Sequence, residues 1–193
     1  EDAAALARAM VEIGEANGRR TAALVTNMDM PLGFCIGNSL EVAEAVETLA
    51  GRGPEDLTLG CLELAAGMLE LAGLGNRAAC MLKAKAALRD GSALARLRAM
   101  VEAQGGNSAV IDDPALLPRA AHQKTVYAQQ GGYIAHMDAE RIGIPAMMLG
   151  AGRETKERVL DPAAGIRLAA DTGHAVEAGQ HVAVAEGHGP AKP

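Results

Sequence analysis

The sequence predicts an α/β protein, α+β in overall layout, on three observations: helical apolar spacing in the first half, a change of composition near residues 105–118, and short glycine-punctuated apolar runs beyond it. Residues 1–106 are expected to form a helical and α/β domain, 107–120 a linker, and 121–193 a small β-rich module.

The first element is a helix over Ala3–Ala16, because Leu6, Met10 and Ile13 recur at spacings of four and three and Gly18 follows as a stop. Ala22–Thr26 is a short apolar run ended by turn-forming Asn27 and Asp29, the pattern of a buried strand. Pro31 and Gly33 interrupt regular structure, and Asn38 with Glu41 three positions later resembles a capping box opening a helix over about Leu40–Leu49. In Gly53-Pro54-Glu55-Asp56, proline occupies a first helical position and the acids a first turn, where the helix dipole favours negative charge. Leu57, Cys61, Leu64, Met68 and Leu71 then make a core-facing stripe. Arg77–Leu88 and Ser92–Ala103 read as two more helices divided by Asp90-Gly91, with Ser92 as an N-cap.

Gly105-Gly106-Asn107-Ser108 and the proline-bearing run from Asp112 to Pro118 mark the boundary. Beyond it, Lys124–Ala128 and Tyr133–Met137 read as strands paired around the Gln129–Gly132 loop. Asp138 is expected to cap a short helix that ends near Gly150 despite Pro145. Ile166–Ala169, Ala175-Val176 and His181–Ala185 are short strands separated by Gly173 and Gly179.

Composition removes several functions. Eighteen basic residues are scattered among 24 acidic ones, the net charge is -6, and Phe34, Tyr127 and Tyr133 are the only aromatics, so no phosphate-tracking patch or base-stacking platform for nucleic acid can be assembled. The apolar runs fall short of the roughly 20 residues that cross a bilayer, and no charged leader opens the chain. Cys35, Cys61 and Cys80 are odd in number and widely spaced, which suits free thiols, and a cytoplasmic location is the expectation. Residue 1 is Glu in a helix-like context, from which a longer parent chain is expected.

Several residues invite chemistry and have a plainer reading beside it. Gly150 and Gly152 could expose backbone N–H groups to phosphate, but a third glycine is missing and the pair follows a helix, so a turn is the better reading. His122, His136, His174, His181 and His188 have no three- or four-residue spacing that would aim two imidazoles at one metal. Asp112-Asp113 before Pro114 reads as a turn, although it could supply paired carboxylates. Glu41, Glu44 and Glu47 share a helix face, ordinarily a solvated one.

One combination of motifs is specific. Met28-Asp29-Met30-Pro31-Leu32-Gly33, then Gly37-Asn38-Ser39-Leu40-Glu41-Val42, then Gly53-Pro54-Glu55-Asp56-Leu57 resembles the pyrimidine nucleoside phosphorylase and thymidine phosphorylase family. The resemblance continues through Ala103–Gly106, Asp112-Asp113-Pro114, Leu117-Pro118 and Leu149–Arg153, and covers nearly the whole chain. Met30 stands where the family frequently has glutamine.

The resemblance implies a homodimeric pentosyltransferase in which inorganic phosphate displaces the base of a thymidine- or uridine-type nucleoside, leaving free base and pentose 1-phosphate. It implies that the phosphate loop and the base-binding residues lie upstream of residue 1. Lys83, Lys85, Lys124, Lys156 and Lys192 are all outside a glycine-rich phosphate loop, so no catalytic or substrate-binding residue is assigned within this chain. It further implies a potassium ion held by the main-chain oxygens of Leu32 and Cys35 and the carboxylate of Glu44, hard oxygen donors of the kind such an ion takes. Gly173–Gln180 also resembles the hairpin turn of biotinyl and lipoyl hammerhead modules, although Lys124 and Lys156 lack the context of a carrier lysine. The contrasting expectation, from the absent phosphate loop, is a non-catalytic binding or assembly module that keeps the phosphorylase shape.

Overall fold

The computed structural model describes residues 2–153 and 155–188. Lys192 and the last two residues of the Gly187–Pro190 stretch lie outside them. The first element is α1 (Asp2–Ala16), followed by a turn at Gly18, a glycine with φ +70°. Residues 19–34 follow without regular structure, then β1 (Cys35–Ile36), α2 (Asn38–Leu49), α3 (Glu55–Leu71), α4 (Arg77–Arg89) and α5 (Ser92–Ala103). Short 3-10 turns at Ser108–Ile111 and Pro114–Leu116 lead into β2 (His122–Tyr127), β3 (Gly132–Tyr133), α6 (Ala139–Ala146), β4 (Gly165–Leu168), β5 (Ala175–Val176) and β6 (His181–Gly187).

The run Ala22–Thr26 is not a strand. It has no ladder partner among the described residues, and Leu24 and Val25 are exposed, because pairing requires a neighbouring strand that the described chain does not supply. The α3 stripe also departs from expectation: Leu64 is 52% and Met68 71% exposed, while the face α3 buries carries Ala66 and Gly67. Small residues let α3 approach α4 closely, and a Cβ on Gly67 would stand 2.7 Å from the Arg77 guanidinium.

The caps follow local chemistry. Asn76 accepts a hydrogen bond from Ala79 N at the start of α4, and Asp138 accepts one from Arg141 N at the start of α6. Helix α2 begins one turn-position earlier than the capping-box reading, with Gly37 as the cap and the Glu41 carboxylate accepting from Gly37 N at 2.9 Å. Gly91 rather than Ser92 caps α5, and Asp90 accepts from Ser92 N. Pro145 is tolerated near the end of α6, which runs into a π-turn over Met147–Ala151, and Gly150 adopts φ +121° there. The Gly150–Gly152 pair is thus a helix terminus and turn.

Pairing in the sheet differs from the hairpin expected around residues 129–132. Strand β2 pairs antiparallel with β6 over six positions, and β3 pairs with β5. The larger sheet has the order β1-β4-β6-β2. Its first strand comes from between α1 and α2 and its other three from beyond residue 120, so the sheet ties distant parts of the chain together. Gly37 and Gly165 make this possible: a Cβ on Gly165 would lie 2.2 Å from the Ile36 carbonyl oxygen, and one on Gly37 2.3 Å from that of Ala164. The core gathers there, with Leu40, Val46, Ala163, Ala164 and Leu168 buried.

Candidate functional site

The loop between Pro31 and α2 is held by carboxylates on its backbone. Glu44, nearly two turns into α2, accepts from Phe34 N at 2.9 Å through Oε1 and from Cys35 N at 3.4 Å through Oε2. Asp56, in the first turn of α3, accepts from Gly33 N at 2.9 Å, and Glu41 takes Gly37 N. Three acids from two helices therefore fix one loop. Gly33 is needed at its bend: φ is +71°, and a Cβ would sit 2.5 Å from Glu44 Oε2.

Of the three residues expected to hold a cation, Cys35 and Glu44 are in direct contact and Leu32 adjoins the Gly33 bend in the same loop. All the donor atoms expected of them are oxygens, and a carboxylate that accepts one N–H per oxygen keeps lone pairs for an ion. The set thus fits an ion of that class. No group of three or more His, Cys, Asp or Glu side chains among the described residues could by itself hold a metal, so backbone oxygens have to contribute. Asp56 escaped the sequence reading, which took it only as a helix-start acid; its proximity to Gly33 depends on how α3 packs.

Burial, reinforced by the Glu44 charge, pushes the Cys35 thiol up to about 12, so it stays protonated at neutral pH and is no nucleophile. The other candidates have structural roles. Asp112 pairs with Arg98 at 2.5 Å and Asp113 caps Ala115 N at 2.9 Å. Glu47 pairs with Arg52 on the surface. His188 Nδ1 lies 2.7 Å from Asp161 Oδ2, His136 Nε2 lies 3.6 Å from Asp29 Oδ2, and His174 is tied into its own turn through Asp171. Lys124 faces Ala185 in the middle of a ladder rather than standing at a hairpin tip.

A helical block whose carboxylate-bound loop enters a small antiparallel sheet module is an α/β architecture, and residues 133–185 match the family model of the pyrimidine nucleoside phosphorylase C-terminal domain. Over 184 residues the chain is 46% identical to the pyrimidine-nucleoside phosphorylase of Bacillus subtilis, covering 93% of this chain and 42% of that protein. It is 44% identical over 183 residues to the protein of the same name from Geobacillus stearothermophilus, with the same coverage. The chain belongs to the pyrimidine nucleoside phosphorylase family, to whose C-terminal portion it corresponds, and it spans well under half the length of these relatives. No helix among the described residues is long and apolar enough to cross a membrane.

Proposed function

We propose that these residues form the C-terminal part of a pyrimidine nucleoside phosphorylase acting on thymidine- or uridine-type nucleosides. The observation that carries this reading is the 46% identity to the Bacillus subtilis enzyme across 93% of the chain. In the reaction a phosphate oxygen bonds to the anomeric carbon while the glycosidic C–N bond breaks; its electron pair leaves with the base, which takes up a proton. The centre passes through an oxocarbenium-like state, so phosphate must be positioned and water excluded. None of the 193 residues is assigned to phosphate or base binding, and the chain's part in this reading is to organise the cation loop and carry the C-terminal module.

In the same reading the complete protein is a cytoplasmic homodimer, and the Leu32 and Cys35 carbonyl oxygens with the Glu44 carboxylate hold potassium. The ion supplies positive charge that fixes this loop against upstream residues, while Glu44 and Asp56 set the loop's shape through its N–H groups. Exposed apolar groups support an incomplete surface: α1 buries none of its residues, and Leu6, Met10 and Ile13 are each at least 60% exposed.

A phosphorolysis assay on the 193-residue chain alone is expected to give no turnover, and the chain fused behind the upstream part of a related enzyme is expected to release base only when phosphate is present. Turnover by the chain alone would refute the division of labour. In the fused protein potassium should raise the melting temperature, Glu44→Ala should abolish the rise, and Glu44→Gln, which keeps one acceptor oxygen but loses the charge and the second acceptor, should weaken it; equal melting with and without potassium counts against the cation. The absent phosphate loop favours a second reading, a non-catalytic assembly module, which gains if the fused protein also fails to turn over.

A further inference from the structure

The loop held by Glu44, Asp56 and Glu41 sends its N–H groups and its carbonyls opposite ways. The described peptide bonds are trans, so each N–H and the carbonyl oxygen of the residue before it point apart across one rigid plane. The Phe34–Cys35 unit shows the rule. Cys35 N–H reaches Glu44 Oε2, and at the other pole Phe34 O accepts from Leu168 N at 2.7 Å. In a strand the N–H and C=O of one residue face the same side, so the Cys35 carbonyl turns away from β4 and shares the Glu44 side, where no further strand pairs because β1 ends the sheet.

The Leu32 carbonyl is fixed from elsewhere. It belongs to the same peptide unit as Gly33 N–H, which donates to Asp56 Oδ2 at 2.9 Å, and among the described residues nothing donates to the Leu32 oxygen itself. Residue 33 is a glycine at φ +71°, so this unit can turn over with little steric resistance, by a change in the ψ of Leu32 and the φ of Gly33. The units that follow are held: Phe34 N–H lies on Glu44 Oε1 and Phe34 O is bound to the sheet. Among the described residues, Asp56 makes the one hydrogen bond to the Leu32–Gly33 unit.

We propose that Asp56 is a positioning residue for the cation: gripping Gly33 N–H from α3, it keeps the Leu32 carbonyl oxygen turned to the side that an ion can use, without touching the ion. The inference rests on the reading that Leu32, Cys35 and Glu44 hold potassium. Glu44 is ligand and clamp together, whereas Asp56 is a clamp alone and comes from a different helix, so the packing of α3 enters the affinity. Glu41 supplies the contrast. It grips Gly37 N–H, whose opposite pole is the Ile36 carbonyl in the β1–β4 ladder, outside the ligand set.

The test is to melt the fused protein across a potassium series, with ionic strength held constant by choline chloride; the melting temperature starts to climb near the apparent dissociation constant. Asp56→Ala should move that onset to about tenfold higher potassium, because the Leu32 carbonyl is then aimed in about a tenth of the molecules. Asp56→Asn, whose amide oxygen still accepts from Gly33 N, should stay within about threefold, and Glu41→Ala should leave the onset in place. Should Asp56→Ala fail to fold, Asp56→Ser, a helix-start side chain too short to reach Gly33 N, takes its place with the same expectation. An unmoved onset in Asp56→Ala, the result for an acid that only starts α3, overturns the proposal and leaves the cation reading intact. So do equal shifts in the alanine and asparagine variants, the result for a distant charge, or the same shift in Glu41→Ala, the result for general loosening of the loop. Indifference of the unaltered fused protein to potassium sinks the cation reading and this inference with it.

Discussion

Helices α1 and α2 are similar in kind and opposite in fate. Each has an apolar spacing that a sequence reader would place against a core. Helix α1 buries no residue, whereas α2 buries Leu40 and Val46 against the sheet that β1 joins. Amphipathic pattern says which face a helix would bury; it does not say whether a partner is present. In α2 the partner comes from the far end of the chain, through glycines that let β1 and β4 approach. In α1 the side chains of Leu6, Met10 and Ile13, and in the irregular residues 22–28 those of Leu24, Val25 and Met28, remain exposed.

The largest expected effect is on the closely packed side. Gly165→Ala drives a Cβ against the Ile36 carbonyl oxygen, which cannot withdraw without separating β1 from β4, and against the Leu40 side chain, and should cost about 3 kcal/mol in denaturant unfolding. Next comes a paired truncation. Val46→Ala, at a residue 2% exposed, should cost about 2 kcal/mol, while Leu6→Ala, at one 64% exposed, should stay within about 0.5 kcal/mol. Equal costs would erase the contrast between the helices.

The smallest effect concerns pH. Burial works to raise the Asp161 carboxyl, but hydrogen bonds from His188 and Ala163 N, with the charge of His188, outweigh it and hold the group below its ordinary value. A depressed carboxyl contributes stability that is present above its unfolded value, about 3.9, and is lost as pH falls through the folded one. Asp161→Asn should therefore lose stability at neutral pH and show a shallower loss below about pH 4, read by urea midpoints across pH.

What was legible in the sequence was local. Helices α1, α4 and α5 and the Asp138 cap follow from spacing and side-chain chemistry within a few residues. Partner choice was not: β2 takes β6 rather than the neighbouring β3, and α3 packs through Ala66 and Gly67 rather than its leucine and methionine stripe, because both outcomes depend on distant elements. The site divides the same way. Leu32, Cys35 and Glu44 came from motif resemblance, whereas the contact of Asp56 with Gly33 joins residues on either side of α2 and has no local signature.

Native-state hydrogen exchange tests the contrast most directly. Residues 2–16 form an isolated helix short enough to be marginal in water, so their amides should exchange at least ~100-fold faster than those of β4 and β6, which should approach the global unfolding limit. Protection of α1 equal to that of β6 in the 193-residue chain would contradict the account.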